Sequence, residues 1–283
     1  MKKVAVIGAG TMGVGIAQAC LISDYHVVVY DSFESSLIKG KDLLVKNLTK
    51  AKEKSILSPE RFDAVSLAFE FNSNLESVYD ADIIIEAIVE NLEVKQNLFS
   101  GLSANVSESA ILATNTSSLS VTAIASKTKN SGRVLGIHFF NPAYIMKLVE
   151  IIKGEWTDDS VIQKSAAFVK SLEKVPVIVK DTPGFIVNRI ARPYYGEAFK
   201  ILSDGIADIQ TTDSIMRNIG GFKMGPFELL DLIGIDVNFD VTRSVYNAYF
   251  QDPKYRPSII QQRMVEAGKL GVKTKNGFYS YDK

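Results

Sequence analysis

A chain of 283 residues with 46% apolar side chains is long enough for two ordinary domains, each with its own core. Its 32 basic residues balance its 32 acidic ones, which excludes the single-sign field of a nucleic-acid binder or a membrane-surface protein. One cysteine and two histidines exclude a disulfide framework and are too few for a typical zinc site. No uncharged apolar run approaches a membrane span, and the chain enters its first strand within three residues, leaving no room for a leader peptide. A metal-free cytoplasmic protein is expected, with Cys20 a buried structural thiol.

Val4 to Ile7 is a short, mostly β-branched run of the kind that forms a strand buried on both faces. Val14 to Ile22 reads as a helix, and His26 to Tyr30 as a second strand ending at Asp31. The intervening Gly8, Ala9, Gly10, Thr11, Met12 and Gly13 set three glycines at the G-x-G-x-x-G spacing. In a strand–turn–helix, Gly8 permits the tight turn, Gly10 lets the backbone approach a pyrophosphate, and Gly13 lets the helix pack close to the sheet. The unbonded N–H groups of the helix start then face the phosphates. Asp31 stands where a carboxylate accepts hydrogen bonds from the adenosine ribose. A carboxylate repels a 2′-phosphate, and Ser32 and Phe33 offer no arginine to bind one, so NAD is expected rather than NADP.

Glu34 to Ile56 reads as a long helix with Lys46, Lys50 and Lys54 on one face, either a solvated surface or a cationic face for a phosphorylated ligand. Ser58-Pro59 starts another helix. Strands are expected at Ala68–Phe71, Ala81–Ala87, Ala110–Thr114, Arg133–His138, Lys147–Ile152 and Val175–Val179, with helices at Leu92–Leu102, Leu119–Ala125 and Ser160–Leu172. The alternation predicts an α/β fold with a doubly wound, mainly parallel, Rossmann-type sheet. A breaker cluster at Lys180-Asp181-Thr182-Pro183-Gly184 marks a domain boundary near residue 182. Beyond it Phe185–Ser203, Ile209–Ile219, Pro226–Leu232, Val237–Phe250 and Ile259–Ala267 read as helices. The expected organisation is a dinucleotide-binding domain, 1–182, followed by an all-helical domain, 183–283.

In such sheets ligands sit beyond the carboxyl ends of the strands. His138 closes one strand there, and Glu150 lies in the next, where its carboxylate can orient and charge-stabilise the imidazole as a general acid/base; a structural His–Glu pair is the competing reading. Ser117 follows another strand, as a ligand for a substrate oxygen or as one of two serines available to cap the Leu119 helix. Asn188 lies early in the first helix of the second domain, where it could reach a cleft between domains.

Together these stretches resemble the 3-hydroxyacyl-CoA dehydrogenase family. The motifs are Val6 to Gly13, Glu86 to Asn91, Thr114 to Ser118, Gly136 to Pro142, Met146 to Glu150, Asp181 to Arg189 and Met224 to Leu229. The resemblance spans essentially the full chain. It implies NAD-dependent interconversion of L-3-hydroxyacyl-CoA and 3-ketoacyl-CoA, of short C4 chains in the reductive, butyrate-forming sense. By that resemblance His138 is the general acid/base and Glu150 orients it, Ser117 and Asn188 hold the substrate oxygens, and Asn141 supports the nicotinamide side. Asn115 joins the cofactor set, and Glu90, Lys95 and Lys273 match positions near the nicotinamide half. The acyl-CoA nucleotide falls near the second helix, at Asn47, Lys50 and Lys54, and the helical domain forms a homodimer. Two departures stand out: Tyr144 where a smaller residue or proline is usual, expected to reshape the acyl pocket, and Lys275-Asn276 where a glycine followed by a charge is common. The competing functions are a dehydrogenase of a free hydroxy or sugar acid, and a non-catalytic crystallin-like relative.

Overall fold

Eight short apolar runs become strands in the computed structural model, which describes residues 2–281. They are β1 Lys3–Ile7, β2 His26–Tyr30, β3 Phe69–Asn72, β4 Ile83–Glu86, β5 Ile111–Thr114, β6 Val134–Phe139, β7 Leu148–Lys153 and β8 Val175–Lys180. All join one sheet in the order β3-β2-β1-β4-β5-β6-β7-β8. The first six are parallel; β7 pairs antiparallel with β6, and β8 parallel with β7. The doubly wound, mainly parallel architecture expected from the alternation is the one that forms.

Both faces of the sheet's centre are covered, which is why β1, β4 and β5 are almost wholly apolar, whereas the edge strand β3 alternates Phe-Glu-Phe-Asn. Val4 and Val6 pack with helices α1 Thr11–Ile22, α2 Glu34–Glu53 and α6 Asp159–Ser171, through residues such as Ile16, Leu44 and Phe168. Their neighbours Ala5 and Ile7 point the other way, onto α4 Leu92–Asn105 and α5 Val121–Ala125, through Phe99, Leu102 and Ile124. A short α3, Pro59–Ser66, is capped by the Ser58 hydroxyl.

Of the helix ends that differ from the sequence expectation, three have a clear local reason. Helix α2 stops at Glu53 rather than Ile56 because Ser55 takes a left-handed φ of 55°, which a right-handed helix cannot accommodate. Helix α5 begins at Val121 rather than Leu119. Its cap is Ser120, which accepts from the Ala123 N–H, and Asp181 accepts from Val121 and Thr122 N–H. Ser117 and Ser118 therefore do not cap it. In the second unit α7 starts at Val187, after Gly184 and Phe185 with positive φ.

The chain divides into two compact units, Met1–Thr182 and Pro183–Lys283. The second holds α7 Val187–Ser203, α8 Ile209–Asn218, α9 Pro226–Ile233, α10 Ile235–Ala248 and α11 Ile259–Glu266. Its core gathers Tyr195, Phe199, Phe227, Leu230 and Ile235. Buried Asp231 closes the unit by accepting from the Phe278 and Tyr279 N–H groups, which holds the C-terminal segment down. Within that segment Lys275 adopts φ 57°. That conformation suits glycine better than any other residue, so the departure noted at this position is a lysine doing a glycine's work. Among the described residues no helix is long and apolar enough to cross a membrane.

Candidate active site

Strand order reverses beside β1, so a crevice opens at the carboxyl ends of β1 and β4. The glycine loop crosses it. Gly8 has φ 108°, and a Cβ there would lie 2.6 Å from the Ala87 carbonyl; one on Gly13 would lie 1.9 Å from the Gly8 carbonyl. Both are demanded by backbone packing. Gly10 differs: a Cβ there would meet nothing within 4 Å. Its bareness serves no contact inside the protein, and the open space beside it, at the N-cap of α1, suits an approaching phosphate. Asp31 follows β2 and accepts from the Ala9 N–H at 2.8 Å and the Phe33 N–H at 3.0 Å, which ties the second strand's end to the loop.

Beyond β4 and β5 lies a dense ionic network. Lys95, on α4 and only 1% exposed, places its ammonium 2.5 Å from Glu86, which is 0% exposed, and 3.3 Å from Glu90. Glu86 also accepts from the Ile88 N–H and the Thr114 hydroxyl. One Glu90 oxygen gathers the Thr116 hydroxyl and the Ser117 and Ser118 N–H groups. Partial burial alone would raise the Glu90 pKa, but the Lys95 charge and the Thr116 and Ser117 hydrogen bonds prevail and hold it below the usual range. The serine turn is thus fixed by a carboxylate that is itself fixed by a buried cation. Asn115 braces the same edge, its side-chain oxygen accepting from the Phe139 N–H at 2.8 Å.

The antiparallel register sets His138 on β6 directly opposite Glu150 on β7, the arrangement in which cross-strand side chains meet. His138 Nδ1 lies 2.6 Å from Glu150 Oε2, with both residues buried. A carboxylate accepts the Nδ1 proton, which fixes the tautomer of the imidazole. The Phe140 ring stands 4.5 Å from the imidazole, centroid to centroid. Asn141 is exposed at the start of the loop that follows.

Asn47 and Lys50 on α2 and Lys54 at its C-cap line a cavity of about 700 Å³ with Gln18 and Ile22 of α1. Helix α1 has 12 residues, about 18 Å at the usual rise. The glycine loop sits at its start and this cavity beside its later turns, so the two are separate places on one helix.

Residues 3–182 match the family model for the NAD-binding domain of 3-hydroxyacyl-CoA dehydrogenase, and residues 184–281 match that for its C-terminal domain. The chain belongs to the 3-hydroxyacyl-CoA dehydrogenase family. It is 42% identical to a 3-hydroxybutyryl-CoA dehydrogenase of Clostridioides difficile, over 99% of this chain and 100% of that one. It is also 42% identical to the 3-hydroxyadipyl-CoA dehydrogenase of Escherichia coli, but spans only 59% of that longer protein. Among solved structures, the (S)-3-hydroxybutyryl-CoA dehydrogenase of Ralstonia eutropha superposes with a TM-score of 0.94 at 38% identity, both chains fully covered.

Within this dehydrogenase-family chain the second unit carries two of the sequence-predicted residues. Asn188 lies in the first turn of α7, where its side-chain oxygen is 3.4 Å from buried Arg192. Burial drives the Arg192 pKa down to about 10, and its guanidinium is held by the Asn238 carbonyl and the Thr242 hydroxyl. Lys273 pairs with Asp236, 2.6 Å away, at the start of α10. Sequence reasoning missed Glu86, Thr114 and Asp181, which position the functional loops of the dehydrogenase. Glu86 left a legible signal, since a carboxylate ending the run Ile83-Ile84-Ile85 must find a buried partner.

Proposed function

We propose that this chain catalyses NAD(H)-dependent interconversion of short L-3-hydroxyacyl-CoA and 3-ketoacyl-CoA thioesters, with His138 as the acid/base. The observation that carries the reading is the buried His138–Glu150 pair at the carboxyl edge of the sheet. In the oxidative direction His138 Nε2 takes the hydroxyl proton, and Glu150 stabilises the imidazolium that forms. In the reductive direction the same nitrogen returns it. Ser117, on its braced turn, holds the substrate oxygen, and the same reading assigns Asn188 to that oxygen. Asn141, Glu90, Lys95 and Lys273 keep their expected association with the nicotinamide half, with Lys95 acting through Glu90. The cofactor, when bound, supplies the hydride chemistry. The protein aligns the reactants and moves the proton.

Asn47, Lys50 and Lys54 are assigned to the CoA nucleotide. The cavity they line is set apart from the glycine loop and therefore calls for a second ligand. The helical unit exposes Ile190, Ile206, Ile215, Ile219 and Phe222, which supports a homodimer formed through it, in a cytoplasmic enzyme. Light scattering reads the mass directly.

The deciding assay follows NADH consumption with acetoacetyl-CoA, longer 3-ketoacyl-CoAs and free acetoacetate, then repeats it with NADPH. Turnover of acetoacetate at the rate of acetoacetyl-CoA overturns the CoA assignment. Two glycine variants separate packing from cofactor contact. Gly13→Ala is expected to cost about 1–3 kcal/mol, as overpacking does, and to lower Tm. Gly10→Ala is expected to leave Tm unchanged while weakening NADH binding in a fluorescence titration. Asp31→Ala is expected to erode the preference for NAD over NADP, read as the ratio of kcat/KM values; an unchanged ratio removes the ribose contact from the account.

A further inference from the structure

The loop 140–147 joins β6 to β7, the two strands that carry His138 and Glu150, and its far side reaches the cationic cavity. Ala143 is buried where the loop crosses α1, and a Cβ on Gly15 would lie 3.2 Å from the Ala143 Cβ. The Ile145 and Met146 N–H groups both donate to the Pro142 carbonyl at 3.0 Å. The Lys174 ammonium donates to the Met146 carbonyl at 2.8 Å. A loop pinned at three points presents Tyr144, 40% exposed, and Ile145, 57% exposed, as one wall of the cavity.

The same cavity is lined by Lys50 and Lys54, which have no carboxylate partner among the described residues. Of the two acidic residues lining the cavity, Asp24 is engaged by Arg61, and Glu173 offers its backbone carbonyl to Lys147. An aromatic ring and uncommitted ammonium groups lining one space of about 700 Å³ suit a phosphorylated ligand with a flat ring system. They do not suit a short acyl chain, which calls for a dry apolar lining.

We infer that Tyr144 is a specificity-determining residue that contacts the CoA carrier of the substrate, and that it sets affinity for the carrier rather than preference among acyl chains. This rests on the proposed CoA-thioester reading. It replaces the sequence-based expectation that Tyr144 reshapes the acyl pocket, because the ring lines the same cavity as Lys50 and Lys54. The same short loop spans from the acid/base pair to the carrier wall, so carrier recognition and proton transfer share one rigid piece of chain.

The test compares the parent chain with Tyr144→Phe and Tyr144→Ala. Free CoA is titrated into each by calorimetry, and kcat/KM is measured for C4 and C8 3-ketoacyl-CoAs. Tyr144→Ala is expected to raise the Kd of CoA about tenfold, the size of a lost aromatic stacking contact, with Tyr144→Phe close to the parent. The C4-to-C8 ratio of kcat/KM is expected to stay the same in all three. An unchanged CoA affinity in Tyr144→Ala, or a shifted C4-to-C8 ratio, overturns the inference. Failure of the parent itself to bind CoA or turn over acetoacetyl-CoA overturns the CoA-thioester reading instead, and the inference with it.

Discussion

Replacing His138 by glutamine is expected to lower kcat by about two to four orders of magnitude, the usual worth of a positioned general acid/base. Glutamine is the more telling choice than alanine here. Glu150 is 0% exposed, and alanine would strip its partner from a buried carboxylate, which is costly in itself. A glutamine amide can still donate to Glu150 but cannot exchange a proton with substrate. The variant should therefore keep its fold by circular dichroism and its NADH affinity by fluorescence titration while turnover collapses. Glu150→Gln makes the complementary point: the imidazole stays, the charge that stabilises its protonated form goes, and kcat is expected to fall with a shifted pH profile. Near-parental turnover in His138→Gln would reduce the pair to a structural feature of the sheet.

Lys95→Met is expected to produce the largest loss of stability of any single change considered. It leaves the buried Glu86 carboxyl without its cation, and breaking a buried pair from one side costs about 3–5 kcal/mol. Tm should fall on the order of ten degrees. Adding Glu86→Leu should recover part of that loss, since removing both partners of a buried pair is far less costly than removing one. The double-mutant cycle reads the coupling directly. Additive losses in that cycle would show that the two side chains act independently.

The same variant carries a pH signature. Glu90 has a depressed pKa in the folded chain. Its contribution to stability is present above the unfolded carboxyl pKa and is lost as pH falls through the lower folded value. With the Lys95 charge gone the depression shrinks, so the acid limb of the stability profile should flatten. Ser117 should also lose its fixed orientation, read as a higher KM for the acyl-CoA.

How much of this was legible in advance follows from the range of each interaction. The strand–glycine loop–helix unit, the alternation that makes a doubly wound sheet and the helical second half are written in local periodicity and turn chemistry, and they could be read from neighbouring residues. Helix ends were less legible where a distant residue intervened, as Asp181 does at the start of α5. The assignment of Ser117 or Ser118 as a helix cap failed for a related reason: both were already committed to Glu90, 27 and 28 residues away in sequence.

By itself the sequence determined the fold class, the family, and which residue types were present to bind a dinucleotide and move a proton. Only the tertiary structure decided who meets whom: the register that sets His138 opposite Glu150, the two carboxylates that share Lys95, and the cavity that claims Tyr144. The physical reason is that pattern and propensity act over a few residues, whereas a buried charge or a cross-strand partner is chosen by the packing of segments far apart in the chain.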